Sequence, residues 1–356
     1  MKTRAKAALI CIALWCLMTS TAVCEDIQPE GIDTALALRV IDLIASERYD
    51  DVLAIADSIL ALDPDSPPGY FIRATTLNGR SIDYEDDLDQ ATLDEACRKV
   101  QDICEAMLTM SNRAYLHFYL GTILGYRSFQ NYRQGDWLSA YFQGVRAAGH
   151  YESALELDST YWDACLGLGT FNYYRSSRAG LLRKAGLVAD RRQRGLDMIR
   201  LAAERGRFSR LAARSTLAWI YIERGELGSA IEEARRLLEL YPGSRAFLWC
   251  LGSALMKAQR WEEATATYGQ LLVKVRGESR NNHFNEVGCL HALARAYSEL
   301  GSWREVLRVC DEALALKLNP EVARRKSDDI THLKRLRESV SLKLTEGSEK
   351  VFITDR

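Results

Sequence analysis

A pattern of apolar and small residues returns after 34 residues. Leu217-Ala218-x-x-Tyr221, Ala230, Ala234 and Leu237 are answered by Leu251-Gly252-x-x-Leu255, Ala264, Tyr268 and Leu271. The same frame returns as Leu293-Ala294-x-x-Tyr297, Val306, Cys310 and Ala313, after an interval lengthened by eight residues. Trp261 and Trp303 stand where the first copy has Leu227. A fixed period of this length marks a repeat architecture, in which no unit buries its apolar side alone and the stack of units makes the core. Apolar residues three to four positions apart define helices. The chain is therefore constrained to stacked helix pairs, and a stack of this kind presents a curved surface.

Composition agrees with that constraint. The 356 residues are 47% hydrophobic and 27% charged, which fits a globular chain with a substantial core. The six prolines (29, 64, 67, 68, 242 and 320) leave long stretches open to helix. The expected fold class is all-α. A net charge of -1 argues against a chain dedicated to nucleic acid.

The first two dozen residues read differently. Lys2, Arg4 and Lys6 precede an apolar run from Ala7 to Met18, followed by small polar residues, which is the layout of a secretory signal. The run is shorter than the roughly 20 residues a spanning helix needs, so cleavage is expected rather than a retained anchor. Residues 1–24 are read as a signal peptide, and an exported, periplasmic or envelope-associated protein is expected. Lipid attachment at Cys24 is disfavoured by the bulky Val23 before it.

Three of the nine cysteines lie in or beside that leader. Cys97 and Cys104 stand about 10 Å apart on one expected helix, too far for a bridge. Cys165, Cys250, Cys289 and Cys310 occupy small or apolar repeat positions and read as buried thiols. Cys289 with Cys310 is the pair to test for a disulfide.

Along the mature chain the units are expected at 32–62, 70–110, 112–157, 161–207, 209–242, 244–276 and 284–318. A polar capping helix follows from Pro320 to Leu344. The acid-rich stretch Asp83, Glu85, Asp86, Asp87 and Asp89 is expected to be a solvated, mobile loop, and an insertion is expected between Tyr174 and Asp190. The helical body spans 25–344 and a frayed tail 345–356.

The combination Leu-Gly/Ala-x-x-Tyr, then Ala, an aromatic or Ala, an apolar residue and Pro242 resembles the tetratricopeptide repeat. The resemblance is specific for the three units quoted above, extends to Val40–Pro64 and weakens between 67 and 207. Gly167-Leu168-Gly169-x-x-x-Tyr173-Tyr174 also looks like exported bacterial proteins of this repeat class. The resemblance implies a right-handed superhelical solenoid of about six to seven antiparallel helix pairs. It also implies protein interaction through a concave groove lined by the first helix of each unit, and no particular reaction. The frame then places Tyr115, Phe118, Tyr126, Tyr173, Tyr174, Trp219, Trp249, His291 and Arg295 on or near the groove. Aromatic and arginine side chains are the usual anchors of binding surfaces.

Catalytic patterns are lacking in the sequence. Gly167-Leu168-Gly169 lacks the third glycine and the preceding strand of a dinucleotide site, so these glycines are expected to permit close helix packing. The five histidines show no i, i+4 pair and no HExxH, and no Gly-x-Ser-x-Gly elbow occurs. No metal, cofactor or catalytic set is expected. From Arg175 to Arg214 twelve Lys or Arg face three acids. That basic segment, with Arg178, Arg183, Lys184, Arg191 and Arg192, is a candidate contact for an anionic membrane surface or polymer. The leading expectation is a non-catalytic adaptor binding a protein or peptide segment, and the basic contact is the alternative.

Overall fold

The computed structural model describes residues 32–178 and 189–354, the final stretch from 346 as backbone only. The expected leader 1–24 with Cys24, and the basic Arg183 and Lys184, lie outside the described residues.

Among the described residues the chain is all helix. The first unit is α1 (Thr34–Ala45) and α2 (Tyr49–Leu62), the second α3 (Pro67–Tyr84) and α4 (Gln90–Leu108), the third α5 (Ala114–Arg133) and α6 (Trp137–Leu157). The fourth is α7 (Ala164–Arg178) and α8 (Arg192–Arg205), and the fifth α9 (Arg210–Arg224) and α10 (Leu227–Leu240). The sixth is α11 (Arg245–Lys257) and α12 (Trp261–Arg276), and the seventh α13 (Phe284–Glu299) and α14 (Trp303–Ala315). The short α15 (Pro320–Arg325) leads into α16 (Ser327–Thr354), which covers α13 and α14 at the end of the stack. Sequence reading places the end of this cap at Leu344, whereas the helix runs on to Thr354.

Local chemistry sets several helix starts. Asp33 accepts from Leu36 N at 3.0 Å, Asp136 from Ser139 N at 3.1 Å and Asn319 from Val322 N at 2.9 Å, each satisfying an otherwise orphaned amide. Pro67 and Pro320 stand in the first turn after their caps, where a missing N–H costs nothing. Leu227, Trp261 and Trp303 open the second helices of units five to seven. The repeat positions quoted above are all buried, apart from the half-buried Tyr221, Tyr297, Leu227, Trp261 and Trp303.

The fourth unit shows why glycine replaces the usual alanine. A Cβ on Gly169 would stand 2.7 Å from the Gly195 carbonyl oxygen, and one on Gly195 would stand 2.6 Å from that of Gly169. Helices α7 and α8 therefore touch backbone to backbone, as expected for small residues there. All six cysteines from Cys97 onward are buried and unbridged, including Cys289 and Cys310. Burial pushes the thiols of Cys97, Cys104 and Cys250 up to about 12, so they are protonated at neutral pH and behave as small apolar groups.

The largest departure from the sequence reading is at the acidic loop. It is not a free solvated segment, because it joins the first two units to the last two. Arg280 bonds Asp89 at 2.8 Å and Asp86 at 2.9 Å, Arg325 pairs with Glu85, and Asn285 Nδ2 donates to the Asp83 carbonyl at 2.7 Å. Tyr241 OH donates to Asp42 Oδ1 at 3.0 Å beside this seam. The partners lie far away in sequence, which is why a local reading sees only unpaired acids. The stack thus bends until its two ends meet, and it encloses space.

Candidate functional site

The enclosed space is a cavity of about 900 Å³, at the upper end of the range for small-ligand pockets. Its wall comes mainly from the first helices of the units. Ile41 and Ile44 of α1, Phe71 and Ile72 of α3, and Phe118, Tyr119 and Tyr126 of α5 form one side. Leu166 of α7, Trp219 of α9, Phe247 and Trp249 of α11 and Phe284 of α13 form the other.

The aromatic rings support one another. Phe71 stacks on Tyr119 with centroids 4.0 Å apart, and Phe118 packs against Tyr161 at 5.4 Å. Trp249 stands edge-on to Tyr268 at 5.6 Å. Such geometries fix the rings and leave their remaining faces toward the cavity. Polar groups on the wall are mostly spent on each other. Tyr126 OH donates to Thr75 Oγ1 at 3.2 Å, Asn285 is used in the seam, and Lys326 pairs with Asp329 at 3.0 Å while lying over the Phe284 ring. Asp163 accepts from the backbone N–H groups of Phe208 at 2.8 Å and Ser209 at 2.6 Å, and so pins the start of α9. A wall of this kind offers apolar contact and few free hydrogen-bonding groups.

At one edge of the cavity sits the tightest part of the seam. Arg245 is met by Glu47 at 3.1 Å, Glu278 at 2.8 Å and Asp83, while Tyr49 OH donates to Asp83 at 2.9 Å. Three carboxylates share one guanidinium out of water. Burial and then the neighbouring Asp83 push Glu47 up to about 7. Burial pushes Glu278 to a similar value, against the pull of Arg245.

The groove residues named from sequence separate into distinct groups. Phe118, Tyr126, Trp219 and Trp249 line the cavity. Tyr115 and Tyr173 do not, because both are buried between helices. The first turn of α5 turns Tyr115 in against Tyr119, and Tyr173 packs with Leu196 and Ile199 of α8. Tyr174 donates to Glu223 at 3.5 Å, away from the wall. His291 holds the cap, with Nε2 2.8 Å from His332 and Nδ1 3.1 Å from Asp329, and Arg295 is exposed outside the cavity. Phe71 and Phe247 were missed although they lie on first helices, where the same frame reaches them. Phe208, in the connection before α9, and Phe284, the first residue of α13, carry no periodic signal.

The basic candidates also separate. Arg192 is neutralised by Asp190 at 2.7 Å, and the Arg191 amide donates to Ser176. Farther along, Arg200 pairs with Asp197 and Arg214 with Glu233. Arg178 is exposed, its guanidinium 4.8 Å over the Tyr132 ring. No group of three or more His, Cys, Asp or Glu side chains converges in a metal-binding arrangement among the described residues. Nor is any described helix long and apolar enough to cross a membrane.

Residues 289–324, which cover the seventh unit and its exit, match the family model for the tetratricopeptide repeat. No curated protein matches the sequence. Among solved structures the chain is similar to the APC/C hetero-tetramer Cut9-Hcn1, at 15% identity and a TM-score of 0.52, over 84% of this chain and 51% of that one. It thus spans about half the length of that protein. It is similar to YrrB, a TPR protein with an unusual peptide-binding site, at 15% identity and a TM-score of 0.42, over 63% of this chain and 97% of that one. It is also similar to the C-terminal part of a TPR repeat-containing protein from Cytophaga hutchinsonii, at 16% identity and a TM-score of 0.38, over 82% and 98%. The repeat match and the shared fold of the first structure support a protein built from tetratricopeptide repeats.

Proposed function

We propose that this tetratricopeptide-repeat protein is a non-catalytic interaction module that takes the apolar side chains of a protein or peptide segment into its central cavity. The observation that carries the reading is the wall itself. Aromatic and aliphatic groups from all seven units converge on one space of about 900 Å³, and most of their polar neighbours already have partners, the buried Ser209 hydroxyl being an exception. A guest gains by burying apolar surface there and finds little to reward a polar group. The volume suits a short apolar stretch or a few large side chains rather than a folded domain. Export to an envelope or secretory compartment is part of the proposal, supported by the basic, apolar and small-residue order of residues 1–24.

The test is binding of short fluorescent peptides with apolar anchors, compared between the wild type and the double variant Trp219→Ala, Trp249→Ala. Both residues lie on the wall and neither is fully buried, so thermal unfolding by circular dichroism is expected to change little. Affinity is expected to fall about tenfold or more, as for central aromatic anchors. Equal binding by the double variant would remove the cavity as the site.

A further inference from the structure

The third unit presents a second surface, on the outside of the ring. The first two turns of α6 expose Trp137, Leu138, Tyr141, Phe142 and Val145, with Trp137 at 59% and Phe142 at 57% of full exposure. At 100° per residue these five fill the solvent side of the helix, where a surface helix ordinarily carries charge. Phe129, near the end of α5, is also exposed. A contiguous apolar patch of this kind marks an interaction surface rather than ordinary scatter.

The charge on these helices is mostly of one sign. Neither α5 nor α7 contains an acidic residue, and α6 has none before Glu152. Asp136, the cap of α6, is the one acid between α5 and that point. Arg146, Arg175 and Arg178 are exposed and form no ion pair among the described residues. Ring contacts tie the last two to the patch. Arg178 lies 4.8 Å over Tyr132, whose ring is 4.7 Å from Trp137, and Arg175 lies 5.8 Å over Phe171, which packs beside Gly144 of α6. Aromatic rings with tryptophan and tyrosine among them, rimmed by unpaired arginines and short of acids, suit the boundary of an anionic bilayer. There the rings sit at headgroup depth and the cations meet lipid phosphates.

We infer that the outer face built from the end of α5, the start of α6 and the end of α7 is a docking surface for an anionic lipid bilayer. It is separate from the cavity, so guest binding and membrane attachment are independent properties of one ring.

The test uses the full chain with vesicles of phosphatidylcholine, alone or mixed with phosphatidylglycerol, in which some acyl chains are brominated to quench tryptophan. Quenching is expected with the anionic vesicles, to weaken as salt rises, and to be largely lost in Trp137→Phe. In co-sedimentation, Trp137→Ser with Phe142→Ser and Arg175→Glu with Arg178→Glu are each expected to lower the bound fraction several-fold. All four side chains point to solvent, so circular dichroism should be unchanged. Quenching that persists in Trp137→Phe, or no binding to either vesicle, overturns the inference. So does a wild-type dimer in sedimentation that Trp137→Ser, Phe142→Ser converts to monomer without any vesicle binding, because the face would then belong to a second copy of the chain.

Discussion

Units five to seven and the seam that closes the ring are held by different means. In α9 to α14 the contacts repeat: alanine, leucine and valine at fixed positions are fully buried, and each pair of helices rests on the next. At the seam nothing repeats. Arg245, Arg280 and Arg325 each meet carboxylates contributed by the first two units. Apolar repeats tolerate small losses because many similar contacts share the load. A buried ionic cluster depends on every member, since one missing partner leaves a charge without compensation. The difference predicts a ring that opens at the seam before its units unfold.

Replacing the central cation tests this most severely. Arg245→Met leaves Glu47, Asp83 and Glu278 facing one another, and breaking a buried pair of this type costs about 3–5 kcal/mol. Hydrogen exchange is expected to rise across α1 to α3, with a larger radius in small-angle scattering, while α9 to α14 stay protected. Unchanged exchange in α1 to α3 would mean that the seam holds nothing. The complementary change is Leu255→Ala, at a fully buried repeat position. A loss of about 2–5 kcal/mol in urea unfolding is expected, with exchange rising through α9 to α14 together.

Acidity probes the seam more gently. Glu47 and Glu278 have folded values near 7, above the ordinary 4.5. Their contribution is fully present below the ordinary value and is lost as pH rises through about 7. Asp89 works in the other direction. Burial raises it, but hydrogen bonds from Arg280 and Arg80 outweigh that and hold it below its ordinary 3.8. Its contribution is present above that value and is lost as pH falls through its lowered folded value. The seam is thus tightest near the ordinary carboxylate range, loosens between about 4.5 and about 7 by at most about 1.4 kcal/mol per pH unit for each proton released, and changes no further above that window. Exchange of α1 to α3 followed from pH 5 to 9, with pH-corrected intrinsic rates, is expected to accelerate up to about pH 7 and then to level off. A flat profile would separate the seam from these two carboxyl groups.

The same contrast explains what a reader of the sequence can see. Helices of the regular units are legible to within a residue or two because their period is local, and Leu227, Trp261 and Trp303 mark the second-helix starts directly. The glycines of the fourth unit are legible as close packing. Closure is not, because Asp86 looks like a loop acid until Arg280, on another unit, is brought beside it. Half of the groove assignment suffers from a related limit. Tyr115 and Phe118 share a helix and an aromatic character, yet one turn of α5 decides that one is covered by its neighbours and the other reaches the cavity.

A chain whose ends grip each other is joined by two routes, one covalent and one through the seam. A single cut in the 179–188 connection of the fourth unit would separate the polypeptide into halves that still share the α7–α8 contact on one side and the Arg245 and Arg280 clusters on the other. In an open stack the same cut would leave one interface. The closed arrangement therefore makes this protein a natural subject for fragment complementation: halves expressed separately should find each other, and losing either interface alone should weaken their pairing without abolishing it.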